Sequence, residues 1–107
     1  MAAVIKNLYE GQLPAAKATL YTVPPATTAV VLGVIMVNTD GVDRAINLYY
    51  KKSGGTSRRI MPVNTLVATL TKETMDEKIT MGAGDEIEGD AAAATVVDCI
   101  INGIERT

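Results

Sequence analysis

Short runs rich in Val, Ile, Thr, Leu and Tyr recur along this sequence, and Gly, Pro, Asn or Asp separates each run from the next. β-Branched side chains pack well on a pleated sheet but lose rotamer freedom in a helix. Gly and Pro interrupt regular strands and favour turns. The pattern therefore predicts an all-β chain of short strands joined by turns.

Eight strands are predicted, with a turn signal roughly every ten residues. Their ranges are 4–9, 17–23, 27–38, 44–51, 58–63, 65–71, 85–89 and 95–105. Asp40-Gly41 predicts a hairpin between the third and fourth strands, and the segment 52–57 predicts one between the fourth and fifth. Thr74 to Glu77 matches a helix capping box, so we weigh one helical turn there against irregular loop. Eight such strands favour an antiparallel β-sandwich, jelly-roll-like in form.

The length of 107 residues fits one domain, and we expect a single β-sandwich domain over residues 1–107, with residues 1–14 as an amino-terminal arm. The third strand, residues 27–38, is apolar on both faces, which predicts a central position or a face that meets a partner. The sequence has no Phe or Trp and only four Tyr, so the core is slender. Association with copies of itself or with a larger partner would add buried area.

Charge and hydropathy exclude some partners. The net charge of −2 and the pI near 5.0 provide no basic footprint for nucleic acid. The start of the chain lacks the pattern of a secretory signal, and the longest apolar run, 29–37, is short beside the roughly twenty residues of a membrane helix. We expect synthesis in the host cytoplasm, a soluble product and no membrane partner.

The sequence has no histidine, so no side chain with an ordinary pKa near neutrality is present for acid–base catalysis. Cys99 lies in an apolar run and is expected to be a buried small hydrophobe. Ser53 and Ser57 lie in a flexible tip without an activating base. Asp98 is the one carboxylate inside an apolar predicted strand, and an outward or paired position fits it better than a catalytic role. We expect no enzyme, and no catalytic, cofactor-binding or metal-binding residues.

The densest acidic cluster is Asp85, Glu86, Glu88 and Asp90. Its spacing does not match a calcium loop. In a strand the last three share one face, which predicts a solvated face or an edge protected by charge. The preceding segment 82–85 lacks the lysine of a phosphate loop and is interpreted as a turn.

Four basic residues flank the glycine-containing tip at 53–57. They are Lys51, Lys52, Arg58 and Arg59. Such charge near a hairpin usually favours solubility, but it also suits contact with an acidic surface on a partner.

Two pairs of segments carry a resemblance to a known group. Residues 8–15 and 19–24, and then 83–87 and 101–105, resemble the opening and the close of small β-sandwich virion proteins of tailed bacteriophages. The resemblance implies a non-enzymatic virion component, most specifically a capsid decoration or cement protein. Its implied partners are the major capsid protein and copies of itself, as a homodimer or homotrimer.

Under that interpretation the interface lies on the amino-terminal arm, at Val4, Leu8 and Tyr9, and on the basic hairpin at residues 51, 52, 58 and 59. The alternative function is a tail or baseplate module, either an adaptor or a domain that binds host-surface glycan. Glycan sites generally use exposed aromatics, and adjacent Tyr49 and Tyr50 must point to opposite faces of one strand. One of the two is therefore expected in the core.

Overall fold

The computed structural model describes residues 2–107 and contains ten β-strands and, within that range, no helix. The strands are β1 (Ala3–Gln12), β2 (Ala18–Thr22), β3 (Thr28–Asn38), β4 (Arg44–Lys51), β5 (Ser57–Arg59), β6 (Thr65–Val67), β7 (Lys72–Met75), β8 (Ile79–Met81), β9 (Glu86–Ala91) and β10 (Val97–Arg106). No helix with the length and apolarity needed to cross a bilayer occurs in residues 2–107.

The strands form two antiparallel sheets. Sheet A has the order β1-β10-β3-β7, and β8 also pairs with β3. Sheet B has the order β2-β9-β4-β5, and β6 also pairs with β4. Because β5 and β6 share one position, and β7 and β8 another, the sandwich has eight strand positions in a jelly-roll order. The predicted all-β, jelly-roll-like sandwich is confirmed.

The predicted hairpin between the third and fourth strands is wrong, because β3 lies in sheet A and β4 in sheet B. The connection crosses between sheets, and the buried amide of Asn38 holds it there. Asn38 Nδ2 donates to the carbonyls of Val42 and Val67, each at 2.9 Å, and its Oδ1 accepts from the Asp40 amide. The second predicted hairpin is confirmed, since β4 pairs antiparallel with β5.

The capping-box segment does not form a helical turn. Its first residue, Thr74, lies within β7, and residues 76–78 form a loop. Pairing of β7 and β8 with β3 satisfies their backbone groups and directs Met75 and Met81 into the core, and this packing overrides the local helix signal. The predicted strands 58–63 and 65–71 are shorter than expected. Asn64 and Leu70 adopt left-handed backbone angles, which interrupt strand geometry.

The core fills the space between the inner faces of the two sheets. Its largest fully buried side chains are Leu13, Met36, Ile46, Leu48, Met81, Ile87 and Ile101, together with Val23, Val31, Val34, Val67 and Val97. β3 is central in sheet A, between β10 and the β7/β8 pair. Its inner side chains are buried and its outer ones half-buried, so the second apolar face of β3 is not fully covered by residues 2–107.

Candidate interaction surfaces

The first predicted contact group lies on β1, the edge strand of sheet A. Val4 is 52% exposed, whereas Leu8 and Tyr9 are partly buried and pack against the core. The Tyr9 hydroxyl donates to the Gln12 carbonyl at 3.1 Å. Val4 therefore has the exposure of a contact residue, while Leu8 and Tyr9 support the fold. Whether any of the three meets a partner stays a prediction.

The predicted amino-terminal arm is part of sheet A in this structure. β1 pairs with β10 from Ala3 to Gln12, with one register shift between Asn7 and Tyr9. Its other edge has no strand partner within residues 2–107. Such an edge is open to pairing with another chain, although the bulge near its middle limits a continuous pairing. That the amino-terminal strand pairs with a neighbouring subunit stays a prediction.

The second predicted group lies on the β4–β5 hairpin, and its basic side chains differ in exposure and in their contacts within the chain. Lys52, Arg58 and Arg59 are exposed, and Lys51 is half-buried. The Arg59 guanidinium lies 5.0 Å from the centre of the Tyr49 ring, and its Nη1 donates to Asn47 Oδ1 at 2.6 Å. All three exposed charges can reach a partner, and Arg59 is in addition held against Tyr49 and Asn47.

Val4, at the start of β1, and the basic hairpin lie towards the same end of the sandwich, whereas Leu8 and Tyr9 lie near the middle of β1. The Tyr21 hydroxyl on β2 donates to Glu105 Oε2 at 2.5 Å, and Lys6 Nζ on β1 lies 3.0 Å from Glu105 Oε1. This bridge joins the end of β2 to the start of β1, and β2 ends beside Glu86 and Lys51 in sheet B. Hydrogen bonds from Tyr21 and Lys6 lower the pKa of Glu105, while burial and the bond to Glu105 raise the pKa of Tyr21.

Asp85 anchors the hairpin tip to the turn at 82–85. Its carboxylate accepts from the Tyr50 hydroxyl at 2.7 Å, the Ser53 amide at 2.8 Å and the Gly82 amide at 2.9 Å. These hydrogen bonds, led by that of Ser53, lower the pKa of Asp85 even though the side chain is only 3% exposed. Asp85, which is not one of the three residues of the predicted solvated face, is therefore a buried structural anchor.

The other acidic residues share the outer face of sheet B, as predicted, but they are not all solvated. Glu88 is buried and accepts a hydrogen bond from the Ser57 hydroxyl. Asp90 accepts from Asn47 Nδ2 at 2.8 Å and from the Tyr49 hydroxyl at 3.2 Å. Residues 2–107 contain no group of three or more Cys, Asp or Glu side chains placed to hold a metal ion.

The two adjacent tyrosines face opposite ways, as predicted. Tyr50 packs against the core, whereas Tyr49 lies on the outer face of sheet B. Lys17 Nζ lies 4.6 Å from the centre of the Tyr49 ring, in addition to the nearby Arg59. The ring is therefore engaged in cation–π contacts within the chain, which disfavours its use for stacking on a sugar.

The outer face of sheet A carries an apolar surface that was not among the predicted contact residues. Ile5 is 78% exposed and Ile100 37% exposed. In the strand register Ile104 lies between Ile5 and Val30, and Ile100 lies beside Ile35. The apolar third strand and the alternation of the last strand were the sequence signals for this surface. Which of these apolar side chains lie beside one another follows only from the order of the strands in sheet A.

No protein-family model and no curated protein matches the sequence, but solved structures do. One is a chain described as a Bacillus endospore appendage, of a family of disulfide-linked pili, with 16% identity, a TM-score of 0.56, and coverage of 98% of this chain and 88% of that one. Another comes from the T13 viral particle of infectious bursal disease virus, with 11% identity, a TM-score of 0.58, and coverage of 96% and 30% respectively.

A chain from the Gx strain of infectious bursal disease virus also matches, with 11% identity and a TM-score of 0.55 over 97% of this chain and 32% of that one. What these chains share with the present one is the fold. The present chain spans most of the appendage subunit but about a third of the viral chains. At such identities the similarity shows the β-sandwich architecture alone.

The single cysteine of this sequence is not placed for a disulfide link between subunits. Cys99 is fully buried on the inner face of β10, which confirms the expectation of a small hydrophobe. Burial raises the pKa of its thiol to about 12. A thiol with so little thiolate at neutral pH is a poor nucleophile.

We expect Cys99 in the native protein to resist alkylation by iodoacetamide at pH 8 and to react fully once the chain is unfolded in guanidinium. The physical reason is the absence of both solvent access and thiolate. Mass spectrometry of the intact protein measures the modified fraction. Rapid native alkylation, at a rate near that of a free cysteine peptide, would contradict the buried placement.

Proposed function

We propose that this chain is a non-enzymatic structural subunit of a virus particle, and specifically a capsid decoration or cement protein of a tailed bacteriophage. The supporting observation is a jelly-roll sandwich that spans the described chain and is similar to chains of a viral particle and of a pilus. The resemblance of residues 8–15, 19–24, 83–87 and 101–105 to phage virion proteins supports the narrower assignment.

A cement protein stabilises a shell through contacts, so it needs a rigid scaffold and separate surfaces for the shell and for its own copies. Every buried side-chain nitrogen and oxygen atom in residues 2–107 has a hydrogen-bond partner, which is typical of a rigid scaffold. The exposed charges of the β4–β5 hairpin and the apolar outer face of sheet A are two such surfaces. In this proposal the major capsid protein contacts the hairpin end of the sandwich, and the protein is a component of the mature virion.

The direct test uses heads of the source phage assembled without this chain. Purified protein is added, unbound protein is removed by sedimentation, and electron microscopy locates the bound molecules. We expect binding to the head surface and a higher temperature of DNA release from decorated heads. Absence of head binding would contradict the proposal, and binding at the tail or baseplate would support the alternative tail module.

The shell contact is assigned to the exposed charge of the hairpin, so Arg58→Ser is expected to weaken head binding several-fold at low salt. Arg59 is a less suitable target because its contacts with Tyr49 and Asn47 support the fold. The difference from the wild type should vanish near 1 M salt, where the screening length falls to about 3 Å. Co-sedimentation across a salt series measures both effects.

Lys78→Ser is the matched control, because Lys78 is also exposed and lies away from the hairpin, immediately before β8. It removes the same charge from a different edge of the sandwich. Equal loss of binding in the two variants would mean that net charge, and not the hairpin, determines affinity for the shell.

A further inference from the structure

The outward side chains of β10 form a sequence that is symmetric about its centre. From one end of the strand to the other they are Asp98, Ile100, Asn102, Ile104 and Arg106. The intervening residues from 97 to 103 are buried. Asn102 is therefore flanked by an isoleucine on each side, with an acid at one end and a base at the other. A half-turn about Asn102 exchanges Asp98 with Arg106 and Ile100 with Ile104.

The neighbouring strand β3 extends the apolar pattern on both sides of the centre, and β1 extends it beside Ile104. Beside Ile104 lie Ile5 on β1 and Val30 on β3, and beside Ile100 lies Ile35 on β3. Between the two apolar rows, Asn7 Nδ2 donates to Asn102 Oδ1 at 3.2 Å. Two apolar rows on the solvent side of a sheet, separated by a polar centre, form a surface that suits a self-complementary contact.

The charged ends of the face are also complementary. Asp98 lies at one end of β10 and Arg106 at the other. On β1 the residue beside Ile100 is Glu10, which a half-turn about Asn102 places over Ile5 of the second copy, at the margin of the face. Within residues 2–107 neither Asp98 nor Arg106 takes part in an ion pair. Asp98 Oδ1 accepts one hydrogen bond, from Gln12 Nε2 at 3.1 Å. Lys72, two strands from Asp98, lies at the rim of the same end.

The size of the face is close to what a stable dimer needs. Four strand positions about 4.8 Å apart, with about ten residues at about 3.3 Å each, give roughly 600 Å² per copy. Standard interfaces bury about 800 Å² per partner, with a range that extends down to about 600 Å². The outer face of sheet A is thus large enough, if nearly all of it is covered, for a specific dimer of moderate affinity.

We propose that the outer face of sheet A is a homodimer interface in which two copies pack face to face around a two-fold axis. The axis passes by Asn102 and runs across the strands. Asp98 of each copy then lies over Arg106 of the other, and Ile100 lies over Ile104, with the sheets about 10 Å apart. A surface depression of about 470 Å³ over paired residues of β1 and β10, lined in part by Glu10 and Asp98, has room for the arginine side chain.

This inference goes beyond the particle role, because it concerns the free protein and holds or fails without a capsid. We expect the wild-type protein to dimerise at high micromolar concentration in sedimentation velocity. Asp98→Arg or Arg106→Asp alone places like charges together and should weaken the dimer by at least about tenfold. The double variant Asp98→Arg/Arg106→Asp restores both pairs and should recover most of the affinity.

The double variant also restores the wild-type net charge, so Asp98→Arg/Arg58→Asp, which has the same net charge but changes an exposed site on sheet B, is the control and should not recover the affinity. Thermal unfolding by circular dichroism shows whether each variant is folded. A wild type that stays monomeric, or a double variant as weak as the single ones, would overturn the proposed dimer.

Cross-linking tests the position of the axis. Asn102→Cys places one reactive thiol on each copy near the axis, and the native Cys99 is buried. A short bismaleimide should join two copies of this variant in high yield. Thr19→Cys, an exposed position on sheet B, is the control and should give little product. Equal yields at the two positions, or none at Asn102→Cys, would contradict the face-to-face arrangement.

Discussion

Gly103→Ala is expected to lower the free energy of unfolding by about 4 kcal/mol, which is a large part of the stability of a small domain. Gly103 is buried at a bulge where β10 shifts register against β3. A Cβ atom at this position would lie 2.4 Å from the Val30 carbonyl oxygen and 2.5 Å from Leu8 Cδ1. The leucine can rotate, but the carbonyl belongs to β3, so the backbone of sheet A must move.

Gly41→Ala is the matched control, because a Cβ atom there meets no other atom within 4 Å and the position does not have a positive φ. It should change stability by well under about 1 kcal/mol. Urea unfolding followed by circular dichroism measures both variants. Equal stability of Gly103→Ala and the wild type would show that sheet A does not hold the close approach described at this bulge.

Asp85→Ala is expected to cost about 3 kcal/mol of unfolding free energy, the second largest effect. The substitution removes the common acceptor of the Tyr50 hydroxyl and of the Ser53 and Gly82 amides, and hydrogen bonds to a charged, buried carboxylate are stronger than neutral ones. It should also release the hairpin tip from the turn at 82–85. Hydrogen exchange at the Ser53 amide reports that release directly.

The effect of Asp85→Ala should depend on pH in a defined direction. The folded-state pKa of Asp85 lies below its unfolded value of about 3.9, so the charged carboxylate contributes fully above that pH. The contribution is lost as the pH falls through the folded pKa. The stability difference between wild type and variant should therefore shrink from pH 6 to pH 2. Asp76→Ala, at an exposed aspartate, is the control and should show no comparable change. A difference that stays constant with pH would contradict the anchoring role.

Local signals in the sequence were enough to predict individual strands where turns bound them closely. The strand 44–51 was predicted with the bounds that β4 has, because Asp40-Gly41 precedes it and a glycine-containing tip follows. The same Asp-Gly signal did not reveal that the chain passes to the other sheet. A turn motif fixes a local reversal, whereas the contacts of Asn38 that direct the crossing come from residues 42 and 67.

The candidate surfaces were predictable only where one strand carries the whole signal. The shared face of Glu86, Glu88 and Asp90 follows from alternation along β9, and this was predicted. The burial of Asp85 was not, because its partners include Tyr50 and Ser53, which are distant in the sequence. The apolar rows of sheet A depend likewise on the order β1-β10-β3, which no local pattern specifies.

The alternation of β10 separates two properties that often compete for the same residues. Its odd-numbered positions from 97 to 103 are buried and help to fill the core, and its even-numbered positions from 98 to 106 face outward. The even set can therefore be exchanged as a unit while the interior is left intact. In the proposed dimer, a designer can change the even set to make a second version of the subunit that keeps the same interior but pairs only with itself, giving two independent building blocks from one scaffold.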